Sequence, residues 1–380
     1  MIQGAFGFLL FLILYVYFGY PLLLLILSKL RPGPLVRKAD IIPNVSLIIA
    51  AYNEEKVIAH KIENSLALNY PQKNLETIIA SDGSTDGTNE IVSTFSDQGV
   101  KLVALNHNQG KSAAQNRAVE ESHGDIILFT DANVVFPHDA VKKVVRNFAD
   151  ESVGCVVGKV IYLNEEETSV GEGEGLYWRY ELFLRAMESK LGNYAAGSGP
   201  IMAIRREVFQ TLDPDVGEDF VLPMQTAMSG YRVIYEPEAT SEEILFQNTP
   251  ASMFRSKVRV ISKDLRGLFL CRSILNPFRY PLYAWGLISH KLLRWLVPYF
   301  LIALFALNLL LLGRVFYNFA LALQIAFYTL AAIGYLRQRK AKPTQILGIP
   351  FSFCLVNLAA LVGVARFAMG KKAGRWVPIR

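Results

Sequence analysis

The stretch Ile126-Ile127-Leu128-Phe129-Thr130-Asp131-Ala132-Asn133 decides the fold. A short, unbroken apolar run is followed by a hydroxyl and then an acid. Such a run with polar bounds reads as a strand buried on both faces, the mark of a sheet covered by helices on each side. Asp131 sits at the carboxyl end of that strand, and in open α/β sheets ligands bind beyond that edge. The Asp-x-Asn pair puts two oxygen donors on one side of a turn. That set suits a hard divalent cation that also holds a diphosphate. An Asx-turn that merely ends the strand would use the same residues, so the choice rests on what surrounds them.

Upstream, residues 45–50 read as a first strand, and Ala51-Tyr52-Asn53-Glu54-Glu55 as a loop entering a helix. Ile58, Ile62 and Leu66 recur at a spacing of four and give that helix one buried face. Residues 75–80 form a second strand, closed by the turn Ser81-Asp82-Gly83-Ser84-Thr85-Asp86-Gly87. Residues 101–105 form a third, and Asn106-His107-Asn108-Gln109-Gly110-Lys111 leads into an alanine-rich helix over 112–122. Strands alternating with helices imply a largely parallel sheet. Downstream come a strand over 155–163, an acidic glycine-bearing loop over 164–175 and a helix over 176–190. The run Gly171-Glu172-Gly173-Glu174-Gly175 does not join a strand to a helix, so it is not a dinucleotide loop. Gly197-Ser198-Gly199-Pro200 is a turn before an apolar run over 201–204, Gly217-Glu218-Asp219 opens a helix, and 231–235 is a further strand.

The two ends differ from this middle. Residues 4–27 are almost wholly apolar, long enough to span a bilayer and too long for a signal-peptide core. Lys29, Arg31, Arg37 and Lys38 follow, which places the next segment in the cytoplasm. The stretch over 252–280 interleaves basic and apolar residues, as an interfacial helix on an anionic membrane does. Three apolar segments follow, over 296–312, 315–336 and 346–369. Arg337, Arg339, Lys340 and Lys342 mark a cytoplasmic loop between the last two. Four simple spans would leave Lys371, Lys372 and Arg375 outside, against the same rule. The spans carry almost no ionisable residues, which argues against a transporter. The division expected is a membrane helix over 1–30, a linker over 31–43, a catalytic domain over 44–250, amphipathic helices over 251–294, membrane helices over 295–370 and a basic tail over 371–380.

Of 380 residues, 52% are hydrophobic and the net charge is +6. The basic residues flank apolar segments, which fits membrane lipids and not nucleic acid. Cys155, Cys271 and Cys354 form no metal spacing and no disulfide framework, in keeping with a reduced compartment.

Acids at several strand ends of one sheet suggest a site for a nucleotide and a metal: Glu54, Asp82, Asp131 with Asn133, and further on Asp219. Asp82 has the chemistry to accept from a uracil imide or to bind a ribose. Lys111, opening a helix, has the chemistry to meet phosphate, aided by the helix N-terminus. Taken singly, Asp82 is also explained as a turn former and Lys111 as a solvated lysine.

Together these motifs resemble family 2 glycosyltransferases of the GT-A fold. The resemblance rests on Ala51-Tyr52-Asn53-Glu54-Glu55, Ser81-Asp82-Gly83-Ser84-Thr85-Asp86-Gly87-Thr88, Asn108-Gln109-Gly110-Lys111, Thr130-Asp131-Ala132-Asn133 and Gly217-Glu218-Asp219 with Gly230-Tyr231-Arg232-Val233. It implies a Rossmann-like, mostly parallel sheet in a cytosolic domain, transmembrane α-helices, and the arrangement of membrane-bound polysaccharide synthases. It implies that Ala51, Tyr52, Asn53, Glu54, Asp82, Lys111 and Asp131 bind a nucleotide sugar, UDP-linked. Asp131 and Asn133 would hold Mg²⁺ or Mn²⁺. Asp219 would be the base of an inverting hexosyl transfer to a glycan or lipid-linked acceptor, with Glu218 its competitor. The family's metal motif often ends in Asp where this chain has Asn133. Of the Q-x-x-R-W motif of processive members only Arg259 is kept, placed with the catalytic group, since Ser256 and Val260 stand at the outer positions.

Overall fold

In a computed structural model, residues 1–163, 171–192, 197, 199–243, 249–339 and 345–371 are described. The first membrane-length helix, α1 (Ile2–Leu30), leads through an extended linker to β1 (Val45–Ala51). Then follow α2 (Ile58–Leu66), β2 (Leu75–Ser81), β3 (Val100–Ala104), α3 (Lys111–Glu120), β4 (Ile126–Asp131) and the short β5 (Val134–Val135). The second half has β6 (Val153–Tyr162), α4 (Gly171–Lys190), β7 (Met202–Arg205), α5 (Glu218–Met228) and β8 (Arg232–Glu243). It ends in α6 (Pro250–Leu270), α7 (Pro281–Leu309), α8 (Val315–Arg339) and α9 (Gln345–Ala368).

The strands form one sheet in the order β3-β2-β1-β4-β7-β6-β8-β5. β1, β2, β3 and β4 are parallel neighbours, as the alternation of strand and helix requires. β7 runs antiparallel to both β4 and β6, and β5 antiparallel to β8, so the sheet is mixed. β4 is buried on both faces: Ile127 and Phe129 join one core cluster, Ile126 and Leu128 the other. Each such side chain contributes roughly 1.5–3 kcal/mol relative to exposure, which fixes the register of Asp131 at the strand's end.

Three expectations shift. The acidic, glycine-bearing run begins α4 at Gly171 and is not loop; residues 164–170 lie outside the described residues. β8 continues to Glu243, well past 235, because β6 pairs with it along its length. α7 starts at Pro281 and not near 296, so His290, Lys291 and Arg294 lie inside a helix of membrane length. The spans therefore do carry ionisable residues, and partners on α4 explain how. His290 Nδ1 is 2.6 Å from Glu188 Oε1, and Arg294 donates to Glu181 at 3.0 Å. Tyr20 of α1 donates to the same Glu188 at 2.8 Å. This network, with Tyr20, Leu24, Leu184 and Leu191 packed beside it, clamps α4 to α1 and α7.

Candidate active site

The loops after β1, β2 and β3 are tied into one unit. Asn53 has φ 53°, the left-handed conformation that asparagine tolerates better than most residues. Its Oδ1 accepts from the Thr85 amide at 2.8 Å, and its own amide donates to Ser84 Oγ at 3.1 Å. The Glu54 amide donates to Thr88 Oγ1 at 2.8 Å. Gly83 has φ 68°, and a Cβ there would meet the His107 carbonyl carbon at 2.4 Å. Only glycine lets the β2 loop press against the segment that precedes α3.

Asp82 is 1% exposed. Its carboxylate accepts from the amides of Gln109 at 2.7 Å and Gly110 at 2.9 Å. In this conformation Asp82 orders the loop that presents Lys111 and does not face open solvent. Ala51 and Glu54 are likewise buried, while Tyr52 is partly exposed.

Lys111 opens α3, and its Nζ lies 2.5 Å from Asp131 Oδ1 and 2.6 Å from Glu218 Oε1. Burial alone would lower its pKa, but the two carboxylates raise it well above the ordinary lysine value. The same pairing keeps Glu218 low, against its burial. Lys111 thus joins the end of β4 to the start of α5. Gly199 lies against all three: a Cβ there would be 3.5 Å from Glu218 Oε1, 3.6 Å from Lys111 Nζ and 4.0 Å from Asp131 Oδ2. The Gly197 amide donates to the Asp219 carbonyl at 2.7 Å.

Asp219 behaves differently from its neighbour. Burial and the adjacent Glu218 charge push it above the usual carboxylate range. Asp264 of α6 is raised further, by burial and by the Asp219 charge. Both point at Gly217, whose Cβ would meet Asp219 Oδ1 at 2.9 Å and Asp264 Oδ1 at 3.6 Å. Arg259 is lowered by burial and feels Glu218, Asp131 and Asp219, while Lys263, one turn on, is lowered by burial and feels Glu218. So the sheet edge and α6 face each other across a cluster of acids and bases.

On the other flank, Asn133 Nδ2 donates to Glu243 Oε1 at 3.0 Å. Burial and the nearby Asp131 charge push Glu243 up to about 7. Asp131, Asn133 and Glu243 offer side-chain oxygens only, the ligand type that fits a hard divalent cation. Among the described residues no three His, Cys, Asp or Glu side chains are placed to hold an ion by themselves. An ion here would need oxygens from a bound diphosphate as well.

Of the sequence-based set, Lys111, Asp131, Glu218, Asp219 and Arg259 come together in one cluster, with Asn133 on its flank; Asn53 and Glu54 are tied to the turn after β2, and Asp82 acts through the loop that presents Lys111. Glu243, Lys263, Asp264, Gly197 and Gly199 were missed. Lys263 was open to detection, since it lies four residues after Arg259 on an amphipathic helix. Glu243 was hidden by reading β8 as a short strand.

A family model described as glycosyl transferase family 2 matches residues 46–213. That segment is a family 2 glycosyltransferase domain. The probable glycosyltransferase YdaM of Bacillus subtilis (strain 168) is 32% identical over 213 residues, covering 53% of this chain and 51% of its own length. The poly-beta-1,6-N-acetyl-D-glucosamine synthase of Staphylococcus aureus (strain COL) is 26% identical over 255 residues, covering 64% of this chain and 60% of its own length. The chain thus spans between half and two thirds of the length of these relatives. The solved mannosyltransferase PcManGT from Pyrobaculum calidifontis, in complex with GDP-Man and Mn²⁺, superposes with a TM-score of 0.68 at 23% identity, over 94% of this chain and 99% of that one. The GT-A fold and the four apolar helices are thus both accounted for.

Proposed function

We propose that this glycosyltransferase is an inverting, membrane-embedded enzyme that moves a hexosyl unit from a nucleotide sugar, UDP-linked, to a glycan acceptor, with the catalytic domain in the cytoplasm. The observation that carries the reading is the Lys111 ammonium shared by Asp131 and Glu218, with Asp219 beside them. It sets a diphosphate-binding end against a carboxylate free of that ion pair.

The tied loops after β1 and β2 would hold the nucleoside, and Lys111 would meet the diphosphate. Asp131 and Asn133, with Glu243 beside them, would hold Mg²⁺ or Mn²⁺, which offsets charge on the departing diphosphate. The bond from the anomeric carbon to the diphosphate oxygen breaks and the nucleoside diphosphate leaves. An acceptor hydroxyl bonds to that carbon from the opposite face and gives its proton to Asp219. A carboxylate with a raised pKa is the stronger base, which favours Asp219 over the ion-paired Glu218. The synthase name of the S. aureus relative supports a polysaccharide product.

A second reading, transfer of one sugar to a lipid carrier or glycolipid, is favoured by Val260. It is 42% exposed where processive members carry a tryptophan, so no aromatic platform for a growing chain stands there. The purified full-length protein is to be screened against a panel of nucleotide sugars for nucleotide release, with and without chelator. Release from one UDP-sugar, lost with chelator and restored by Mg²⁺ or Mn²⁺, supports the reading. No release from any sugar removes it.

A further inference from the structure

On the membrane side of α6, away from the acid cluster, lies a cavity of about 620 Å³. Phe254 of α6, Ala331 and Ala332 of α8, and Phe351, Cys354 and Leu358 of α9 line it. Its size falls within the range of small-ligand sites, ~300–1,000 Å³. The lining is mostly apolar, with hydroxyls only from Thr249, Tyr328 and Tyr335, so it offers a sugar or nucleotide few polar partners and no charge. Two of its walls are helices long and apolar enough to cross a membrane, and Leu358 and Ala332 are exposed on it. Its open side thus faces the space that lipid chains fill.

The depth is also defined. The α8 wall lies in the last turns of that helix and the α9 wall in the first half of its own. That end of the helix pair carries exposed Arg337, and in sequence Arg339, Lys340 and Lys342. A basic helix end lies at the level of anionic headgroups. The cavity therefore sits just below the headgroups of the leaflet on which α6 rests.

It is also joined to the transfer site. α6 lines both: Phe254 is on the cavity, while Arg259 and Lys263 feel the catalytic carboxylates. Thr249, on the cavity wall, follows Glu243 by six residues. Six residues reach at most ~20 Å when extended, which bounds the distance between the two sites.

We infer that the cavity holds the hydrocarbon chain of the acceptor, and that this acceptor is a glycolipid, the second of the two acceptor readings above, whose headgroup hydroxyl reaches Asp219. The inference rests on the reading of the site as a nucleotide-sugar transferase. A hydroxyl headgroup is chosen over a lipid phosphate because a phosphate oxygen is already ionised and needs no base.

The test uses the full-length protein in lipid nanodiscs with the nucleotide sugar it turns over. Methyl and hexadecyl glycosides of several hexoses serve as acceptors, with hexadecyl phosphate for comparison. The expected result is a kcat/KM at least tenfold higher for a hexadecyl glycoside than for its methyl counterpart. Ala332→Trp, at an exposed position that fills the cavity, should raise KM for the hexadecyl glycoside at least tenfold. KM for the nucleotide sugar and its slow hydrolysis should be unchanged. Equal use of methyl and hexadecyl glycosides, an unchanged acceptor KM in Ala332→Trp, no transfer to any hexadecyl glycoside, or a preference for hexadecyl phosphate would each overturn the inference. Wild-type protein that neither binds nor hydrolyses any nucleotide sugar would instead overturn the reading of the site. A second measurement does not depend on the variant folding. A hexadecyl glycoside with a diazirine in its chain should crosslink to peptides containing Phe254, Ala332 or Cys354. Unlabelled hexadecyl glycoside should displace it and phospholipid should not. Equal displacement by phospholipid would mark a bystander lipid site and sink the proposal.

Discussion

The two flanks of the site are built in different ways. The donor flank uses the loops after β1, β2, β3 and β4, which come from one run of alternating strands and helices. Its residues are tied mainly by backbone hydrogen bonds, such as the Gln109 and Gly110 amides on Asp82. The acceptor flank is assembled from α5, α6 and a glycine turn, distant in sequence, and is held by charge: Glu218, Asp219, Asp264, Arg259 and Lys263. A backbone-tied flank is rigid and shows in local motifs. A charge-built flank is tunable and shows only once the chain is folded.

The largest expected effect tests the donor flank. Asp131 carries the only full negative charge of the Asp-x-Asn pair and also anchors Lys111. Asp131→Ala should lower kcat by on the order of 10³-fold or more. Asn133→Ala removes an amide and should cost less. Equal losses in the two variants would deny that charge is what matters at this flank.

Next comes the acceptor flank. Asp219→Asn keeps shape but not basicity, and should cost on the order of 10²-fold or more in kcat with nucleotide-sugar KM largely kept. Glu218→Gln breaks the ion pair with Lys111 and should act mainly on nucleotide-sugar KM. Since Asp219 is raised, and a base works deprotonated, kcat should rise with pH through an apparent pKa above the ordinary carboxylate range. A flat profile in the wild type, or a normal kcat in Asp219→Asn, would return the base role to Glu218.

What the sequence disclosed follows the same division. β4 announced itself by its apolar run, and the turns after β1 and β2 by their dense Asn, Asp, Ser and Gly. Gly217-Glu218-Asp219 was visible as a helix start. Glu243 was not, because nothing local shows that β8 extends to pair with β5 beside Asn133. Asp264 was not, because an acid in a basic amphipathic helix reads as solvated until α5 is packed on it. The membrane ends were legible by length, but not the start of α7, where His290 and Arg294 interrupt the apolar pattern and find their hydrogen-bond partners on α4.

A smaller effect tests the glycine turn between the flanks. A Cβ on Gly197 would meet the Asp219 carbonyl at 2.1 Å, a backbone atom that cannot swing away. Gly197→Ala should cost about 1–3 kcal/mol in stability, as overpacking does, and lower kcat on the order of tenfold by shifting Asp219. Gly199→Ala meets only side-chain atoms at 3.5 Å or more and should be nearly silent. Both are read by thermal unfolding and initial rates. Equal behaviour would mean that the turn does not position Asp219.

The smallest effect on turnover concerns a charge hidden under the donor flank. Lys61 lies between Ile58 and Ile62 on α2, on the face read as apolar, and is 1% exposed. Its Nζ donates to the Val134 carbonyl at 2.7 Å and sits 4.1 Å from the Phe136 ring centroid. Burial lowers its pKa to about 7, against ~10.4 for an unperturbed lysine. Below about 7 both folded and unfolded chains hold the proton, and the cost of burying the charge is fully present. Between about 7 and ~10.4 the unfolded chain holds more protons than the folded one, so stability rises with pH across that window, by up to about 1.4 kcal/mol per unit. Lys61→Met keeps the apolar stem and removes the titration. The solubilised full-length protein should therefore show a Tm that climbs from pH 7 to pH 9.5 more steeply in the wild type than in Lys61→Met. The loss of the Val134 hydrogen bond offsets the variant's Tm but leaves the slope alone. Parallel slopes would mean that Lys61 folds already charged, and that the donor flank, too, is held by a charge its sequence does not announce.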